Sequence, residues 1–250
     1  MREREWLLRE KYGGKTCREF TEDLQRLARG EPLAYVIGWV DFLGTRIALA
    51  SRPLIPRPET EWWVERVINN LRARPPAHIL DLYAGSGCIG IALLNAFLQS
   101  RAVFGEIDPA HCEQIRANLR ANNIETERGA VIRSDGFTAI EGTFDLIVAN
   151  PPYLDAQIPQ AVEPSVLMYE PHQALFARQS GLEHIAYLLE RSAAYLSPDG
   201  MLVIEIGEEQ SDAVSRTATE FAWTSTIHPD QYGKPRWGVF VRSKRTSSVL

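Results

Sequence analysis

The chain has 250 residues, enough for one large α/β domain with a small appendage, and its 45% hydrophobic content can fill a sizeable core. A formal net charge of −5 argues against a protein that grips nucleic acid by bulk electrostatics. Cys17, Cys88 and Cys112 form no CxxC pair, so neither a zinc ribbon nor a disulfide framework is indicated, and no apolar run nears the ~18 residues of a membrane span.

Met1 to Glu10 alternates Arg and Glu around Trp6, Leu7 and Leu8, too charged for a signal peptide. With its unpaired cysteines this places the chain in the cytoplasm. Residues 2–30 read as short helical pieces broken at Gly13-Gly14. Leu33 to Ala50, rich in β-branched and aromatic residues around Gly38 and Gly44, predicts a small hairpin. Residues 1–50 thus form a short helical and hairpin extension, and 51–250 the main domain. The prolines of Pro53-Leu54-Ile55-Pro56-Arg57-Pro58 hold an extended segment, and Glu59 to Leu71 reads as a helix.

From there strands and helices alternate. His78–Tyr83, Ala102–Glu106, Ala130–Arg133, Phe144–Ala149 and Met201–Ile206 read as strands. Helical spacing follows at Ile89 to Phe97, Pro109 to Asn122, Leu182 to Leu196 (stopped by Pro198-Asp199-Gly200) and Ser211 to Glu220, with a closing strand pair over Phe221 to Arg242. Such alternation predicts a mostly parallel twisted sheet with helices on both faces, whose carboxyl edge takes ligands.

The first strand ends in Asp81-Leu82-Tyr83-Ala84-Gly85-Ser86-Gly87, where glycines let a ligand approach the backbone and a helix start favours an anionic group. Tyr83 and Ala84 replace the glycines of a G-x-G-x-x-G loop, which weakens a dinucleotide reading. Twenty-one residues after Gly85, Glu106 closes the second strand, placed to take both hydroxyls of a ribose. Asp135, followed by Gly136 after the third strand, can accept from the exocyclic amine of an adenine. The fourth strand runs into Asn150-Pro151-Pro152-Tyr153. There the Asn150 side-chain oxygen and the Pro151 carbonyl can hold the two N–H bonds of a planar NH₂ group. Pro152 stiffens the turn, and Tyr153 can stack on the plane and stabilise a nearby sulfonium. The histidines are scattered without ligand spacing, so no metal site is expected.

The Asp81–Gly87 turn, Glu106 and the NPPY tetrapeptide resemble the Rossmann-like class I S-adenosylmethionine methyltransferases that act on nitrogen. Pro56-Arg57-Pro58-Glu59-Thr60-Glu61, Glu170-Pro171-His172-Gln173-Ala174-Leu175, Ser180-Gly181-Leu182 and Leu202-Val203-Ile204-Glu205-Ile206-Gly207 narrow the resemblance to the release-factor glutamine N5-methyltransferases. It covers about Pro32 to Arg242. It implies methyl transfer from S-adenosylmethionine to the glutamine amide of a Gly-Gly-Gln motif in peptide-chain release factors. The expected enzyme is a monomer with a release factor as protein partner and no stable nucleic acid or membrane partner. By carry-over, Tyr83, Ala84, Gly85, Ser86, Gly87, Glu106, Asp135, Gly136 and Asn150 line the cofactor. Asn150, Pro151, Pro152 and Tyr153 hold the glutamine and carry the catalysis, and Arg57 and Glu59 shape the mouth.

Three departures stand out. Tyr83 replaces a usual Gly, Gly136 replaces an often larger residue, and the family's amino-terminal helical domain is reduced to about thirty residues. Similar motifs occur in a sister family acting on a ribosomal large-subunit protein. NPPY alone is shared with enzymes of adenine N6 and of rRNA guanine. A non-catalytic cofactor-binding subunit is the reading from another class, against which the intact NPPY and Glu106 both count.

Overall fold

In the computed structural model, which describes residues 2–155, 157–158 and 162–243, the amino terminus folds as α1 (Arg2–Tyr12), α2 (Arg18–Ala28) and α3 (Leu33–Ile37). Leu7, Phe20 and Val36 form a small apolar cluster among these helices. Buried Asp23 ties them polarly, accepting from Lys11 Nζ at 2.6 Å, Tyr12 Oη at 2.7 Å and Arg26 Nη1 at 2.8 Å. The predicted hairpin is therefore shorter than expected, because its first five residues are α3. Gly38, at φ +97°, stops that helix, and burial of Tyr35 and Val36 outweighs the strand preference of its residues.

The hairpin proper is β1 (Trp39–Phe42) and β2 (Thr45–Ala48), followed by α4 (Pro58–Leu71), which has Pro58 in its first turn. Then come β3 (His78–Leu82), α5 (Cys88–Ala96), β4 (Arg101–Glu106), α6 (Pro109–Ala121), β5 (Gly129–Arg133) and β6 (Phe144–Ala149). After β6 the chain makes β7 (Leu154–Asp155), α7 (Pro164–Tyr169) and β8 (Phe176–Ala177), none of which periodicity had indicated. It closes with α8 (Glu183–Arg191), β9 (Leu196–Glu205), α9 (Ser211–Glu220), β10 (Trp223–Pro229) and β11 (Pro235–Arg242).

The main sheet has the order β10-β11-β9-β6-β3-β4-β5. Five strands run parallel, and β11 lies antiparallel between β9 and β10. Successive residues alternate between its two apolar layers. Ile79, Leu146 and Val203 belong to one, Leu80, Ile147 and Leu202 to the other. The hairpin shares the first layer through Phe42 and Ile47. Its edge is pinned to α6 by Asn118, which accepts from Ala48 N at 2.9 Å and donates to Ala48 O at 3.1 Å.

One helix ends early. The predicted run to Leu196 stops at Arg191, a tight turn covers Ser192–Tyr195, and β9 begins at Leu196. Pro198 falls where the pairing to β6 skips from Phe144–Leu196 to Leu146–Met201, so it is asked for no ladder hydrogen bond. From β3 the sheet continues to β4 on one side and β6 on the other, which opens a crevice at the carboxyl ends of these strands.

Candidate active site

The turn after β3 crosses this crevice with Tyr83, Gly85 and Gly87 all at positive φ, of 57°, 54° and 78°. A β-carbon at Gly85 would meet nothing within 4 Å, so the backbone there faces open space. Gly90, one turn into α5, has a different role: a β-carbon would sit 2.3 Å from Phe104, so its absence lets α5 lie against β4. Buried Asp81 supports the turn from below, accepting from Gly90 N at 2.9 Å. Burial, with a contribution from the Glu106 charge, pushes its carboxyl up to about 8.

Glu106 ends β4, buried, and bridges the two loops: Oε2 accepts from Gly85 N at 2.8 Å and Oε1 from Asp108 N at 2.9 Å. A carboxylate has about four acceptor sites, so both oxygens retain capacity for hydroxyl donors. The surrounding cavity, about 350 Å³, is lined by Tyr83, Gly85, Glu106, Ile107, Asp135, Gly136, Asn150, Pro152 and His184 among others. Tyr83 and His184 make an edge-on pair at 5.3 Å. Burial raises the Tyr83 phenol and lowers the His184 imidazole, favouring the neutral form of each. Gly136 is explained by its neighbour: a β-carbon there would lie 2.5 Å from the Tyr187 ring.

A second cavity, about 320 Å³, lies against the first and shares Leu54, Asn150 and Ala174 with it. Arg57, Tyr153, Glu163, Val166 and Glu205 contribute to its walls. Arg57 is held by fully buried Glu170 at 2.7 Å, and the same carboxylate accepts from Ile55 N at 3.0 Å, which fixes the proline-rich segment. Asn150 Nδ2 donates to Thr60 Oγ1 at 3.4 Å. Among the described residues, no donor reaches Asn150 Oδ1 or the Pro151 carbonyl. The Tyr153 hydroxyl donates to Glu205 at 3.1 Å, and its phenol is pushed up by burial and by that carboxylate. The Tyr153 backbone is gripped as well, its carbonyl accepting from Gln210 Nε2 at 2.9 Å. A β-carbon at Gly181 would come 2.0 Å from that oxygen, so the Ser-Gly-Leu signature marks a close approach.

Tyr83, Gly85, Glu106, Asp135, Gly136, Asn150 and Pro152 thus meet in one cavity, and Arg57 and Tyr153 join Asn150 in the other. Ala84, Ser86, Gly87 and Pro151 are buried behind these walls, and Glu59 borders neither space. Sequence reasoning assigned no role to Leu54, Ala174, His184, Gln210 or Glu205. Ala174 and Glu205 lay inside recognised signatures, while Leu54, His184 and Gln210 gave no local signal.

The sheet order, the glycine turn beside an acid, and an asparagine shared by two cavities define a Rossmann-like class I methyltransferase. Its fold is similar to the ribosomal protein L11 methylase of Lactobacillus delbrueckii subsp. bulgaricus, with a TM-score of 0.56 at 16% identity over 74% of this chain and 79% of that one. The "Methyltransferase small domain" family matches residues 65–169. The release factor glutamine methyltransferase of Lactococcus lactis is 33% identical over 92% of this chain and 84% of its own length. That of Streptococcus pneumoniae is 34% identical over 88% and 78%. The chain belongs to the release factor glutamine methyltransferase family.

Proposed function

We propose that this chain transfers the methyl group of S-adenosylmethionine to the side-chain amide nitrogen of the glutamine in the Gly-Gly-Gln loop of peptide-chain release factors. The observation that carries the reading is that two adjoining cavities share Asn150, with Leu54 and Ala174, in their walls, so that a donor in one and an acceptor in the other lie on either side of Asn150. Family membership supports the substrate. The reaction takes place in the cytoplasm, on a protein, with a monomeric enzyme and no nucleic acid or membrane partner.

The first cavity fits the cofactor in its acceptors and its space. The opening over Gly85 admits a close-lying ligand, and Glu106 has acceptor capacity for two ribose hydroxyls. Asp135, beside Gly136, accepts from the adenine amine, while the turn from Tyr83 through Ala84, Gly85, Ser86 and Gly87 surrounds the amino-acid part. Bound S-adenosylmethionine supplies a sulfonium methyl group for direct displacement by the amide nitrogen, which sheds one proton.

Asn150 Oδ1 and the Pro151 carbonyl take the two N–H bonds of the glutamine amide, and this turns the nitrogen lone pair toward the first cavity. Pro152 keeps the turn rigid, and Tyr153 packs on the amide plane. Arg57, held by Glu170, walls the entrance, to which Glu59 contributes no wall. Because the lone pair becomes available only as the amide rehybridises, this clamp is stronger in the transition state than in the ground state. Asn150→Ala is therefore expected to lower turnover by about 10²–10³, as loss of a preoriented polar partner does. Cofactor affinity should stay within several-fold. Single-turnover methylation that survives nearly intact in this variant would remove the clamp from the account.

A further inference from the structure

The clamp requires that Asn150 present its oxygen, and not its NH₂, to the acceptor. On geometry alone the two ends of a carboxamide are interchangeable, so something must choose between them. The choice can be traced through a buried chain of hydrogen bonds. Thr60 Oγ1 lies 3.4 Å from Asn150 Nδ2 and 2.6 Å from Glu205 Oε2. The same Oε2 lies 2.7 Å from Trp63 Nε1. Thr60, Trp63 and Glu205 are each no more than 1% exposed, so no bulk water competes for these bonds.

An indole N–H can only donate. Glu205 Oε2 is therefore an acceptor toward Trp63, and because the hydroxyl oxygen of a carboxylic acid is the poorer acceptor, any proton the carboxyl takes sits on Oε1, which leaves Oε2 to accept from Thr60 as well. The Thr60 hydroxyl must then give its hydrogen to Glu205, which leaves its lone pairs facing Asn150. Only the NH₂ end of Asn150 can satisfy them. We propose that Trp63, Glu205 and Thr60 are positioning residues that set the polarity of the amide clamp, turning Asn150 Oδ1 toward the acceptor through a one-way chain of donors. Glu205 also accepts from the Tyr153 hydroxyl on Oε1, so a single carboxylate orients both ends of the tetrapeptide. The inference rests on the proposed clamp for its consequence in catalysis, but the orientation of Asn150 can be read without any substrate.

A chain set by polarity responds differently to two variants that both remove the Glu205 charge. In Glu205→Gln the amide oxygen must face Trp63, so it still accepts from Thr60, and the new NH₂ turns to the Tyr153 hydroxyl, which can accept. Polarity toward Asn150 is kept. Glu205→Leu removes it, and so does Thr60→Val, a nearly isosteric change at one link, whereas Thr60→Ser preserves the hydroxyl. The test is NMR of protein labelled with ¹⁵N at asparagine side chains, with the Asn150 NH₂ assigned by its loss in Asn150→Ala. Its hydrogen exchange and shifts should match wild type in Thr60→Ser and Glu205→Gln and should change in Thr60→Val and Glu205→Leu. In parallel, turnover on the release factor should fall about 10- to 100-fold in Thr60→Val, less than for loss of the clamp itself, with cofactor affinity within about threefold. An unchanged Asn150 NH₂ in Thr60→Val overturns the proposal. So does a Glu205→Gln variant as perturbed as Glu205→Leu, since that would make the charge the operative property. Failure of wild type to methylate the glutamine would count against the proposed function alone, because the NMR result still decides the chain of bonds.

Discussion

At Glu106, one carboxylate holds two loop N–H groups and still has lone pairs to offer. Two charge-assisted hydrogen bonds to ribose hydroxyls are together worth roughly 2–4 kcal/mol if well desolvated. Glu106→Ala is therefore expected to weaken S-adenosylmethionine binding by about 30- to 1000-fold, at about 1.4 kcal/mol per decade, measured by calorimetry. Unchanged affinity in a folded variant would move the ribose to Asp108, although that side chain already caps α6 by accepting from Ala110 N at 2.7 Å. Much of the site is legible at this scale, because NPPY and the acid after β4 sit at strand ends, where the sequence sets both spacing and chemistry. Tyr83 and Gly136 were legible only as departures. In space, the first is a left-handed residue packed on His184, and the second makes room for Tyr187 from α8, a partner fifty-one positions away in the chain. No local pattern carries that information.

At the scale of elements, two buried carboxylates join neighbouring pieces. Asp81 couples β3 to α5 through Gly90, and burial pushes its carboxyl up to about 8 from the 3.8 of a free aspartate. Between these values the folded protein keeps a proton that the unfolded chain has lost. The contribution of Asp81 is therefore complete below the unfolded value and declines as pH rises toward 8, by about 1.4 kcal/mol per pH unit. Asp81→Asn keeps an oxygen for Gly90 N, so its stability relative to wild type, from urea unfolding, should climb across that window. A difference that is flat with pH would contradict the assignment. Glu170 couples the segment before α4 to the end of α7, through Arg57 and Ile55 N. Glu170→Ala leaves a buried N–H unpaired and should cost about 1–3 kcal/mol of stability. An unaltered unfolding midpoint would show that the segment is held by something else. The sequence marked both ends of this connection, as Pro-Arg-Pro-Glu and as Glu-Pro-His, but periodicity had no means of pairing them. The same limit applied to α7, β7 and β8, which are too short to show a period, and to α3, where packing overrode strand preference.

For the whole molecule, alternation of strand and helix was enough to give the parallel sheet and its functional edge. Burial on both faces leaves continuous apolar strands, and connections of this kind have few allowed topologies. What alternation could not give is that two adjoining cavities have an asparagine in common, beside Leu54 and Ala174. The site of methylation shows what that juxtaposition does. Purified enzyme, S-adenosylmethionine, a full-length release factor, ribosomal proteins and RNA should be incubated together and the products mapped by mass spectrometry. The account predicts a gain of one methyl on the side-chain nitrogen of the Gly-Gly-Gln glutamine. A methylated glutamine in a ribosomal protein would keep the amide chemistry and reject the substrate. A methylated nucleobase with the glutamine untouched would contradict the account.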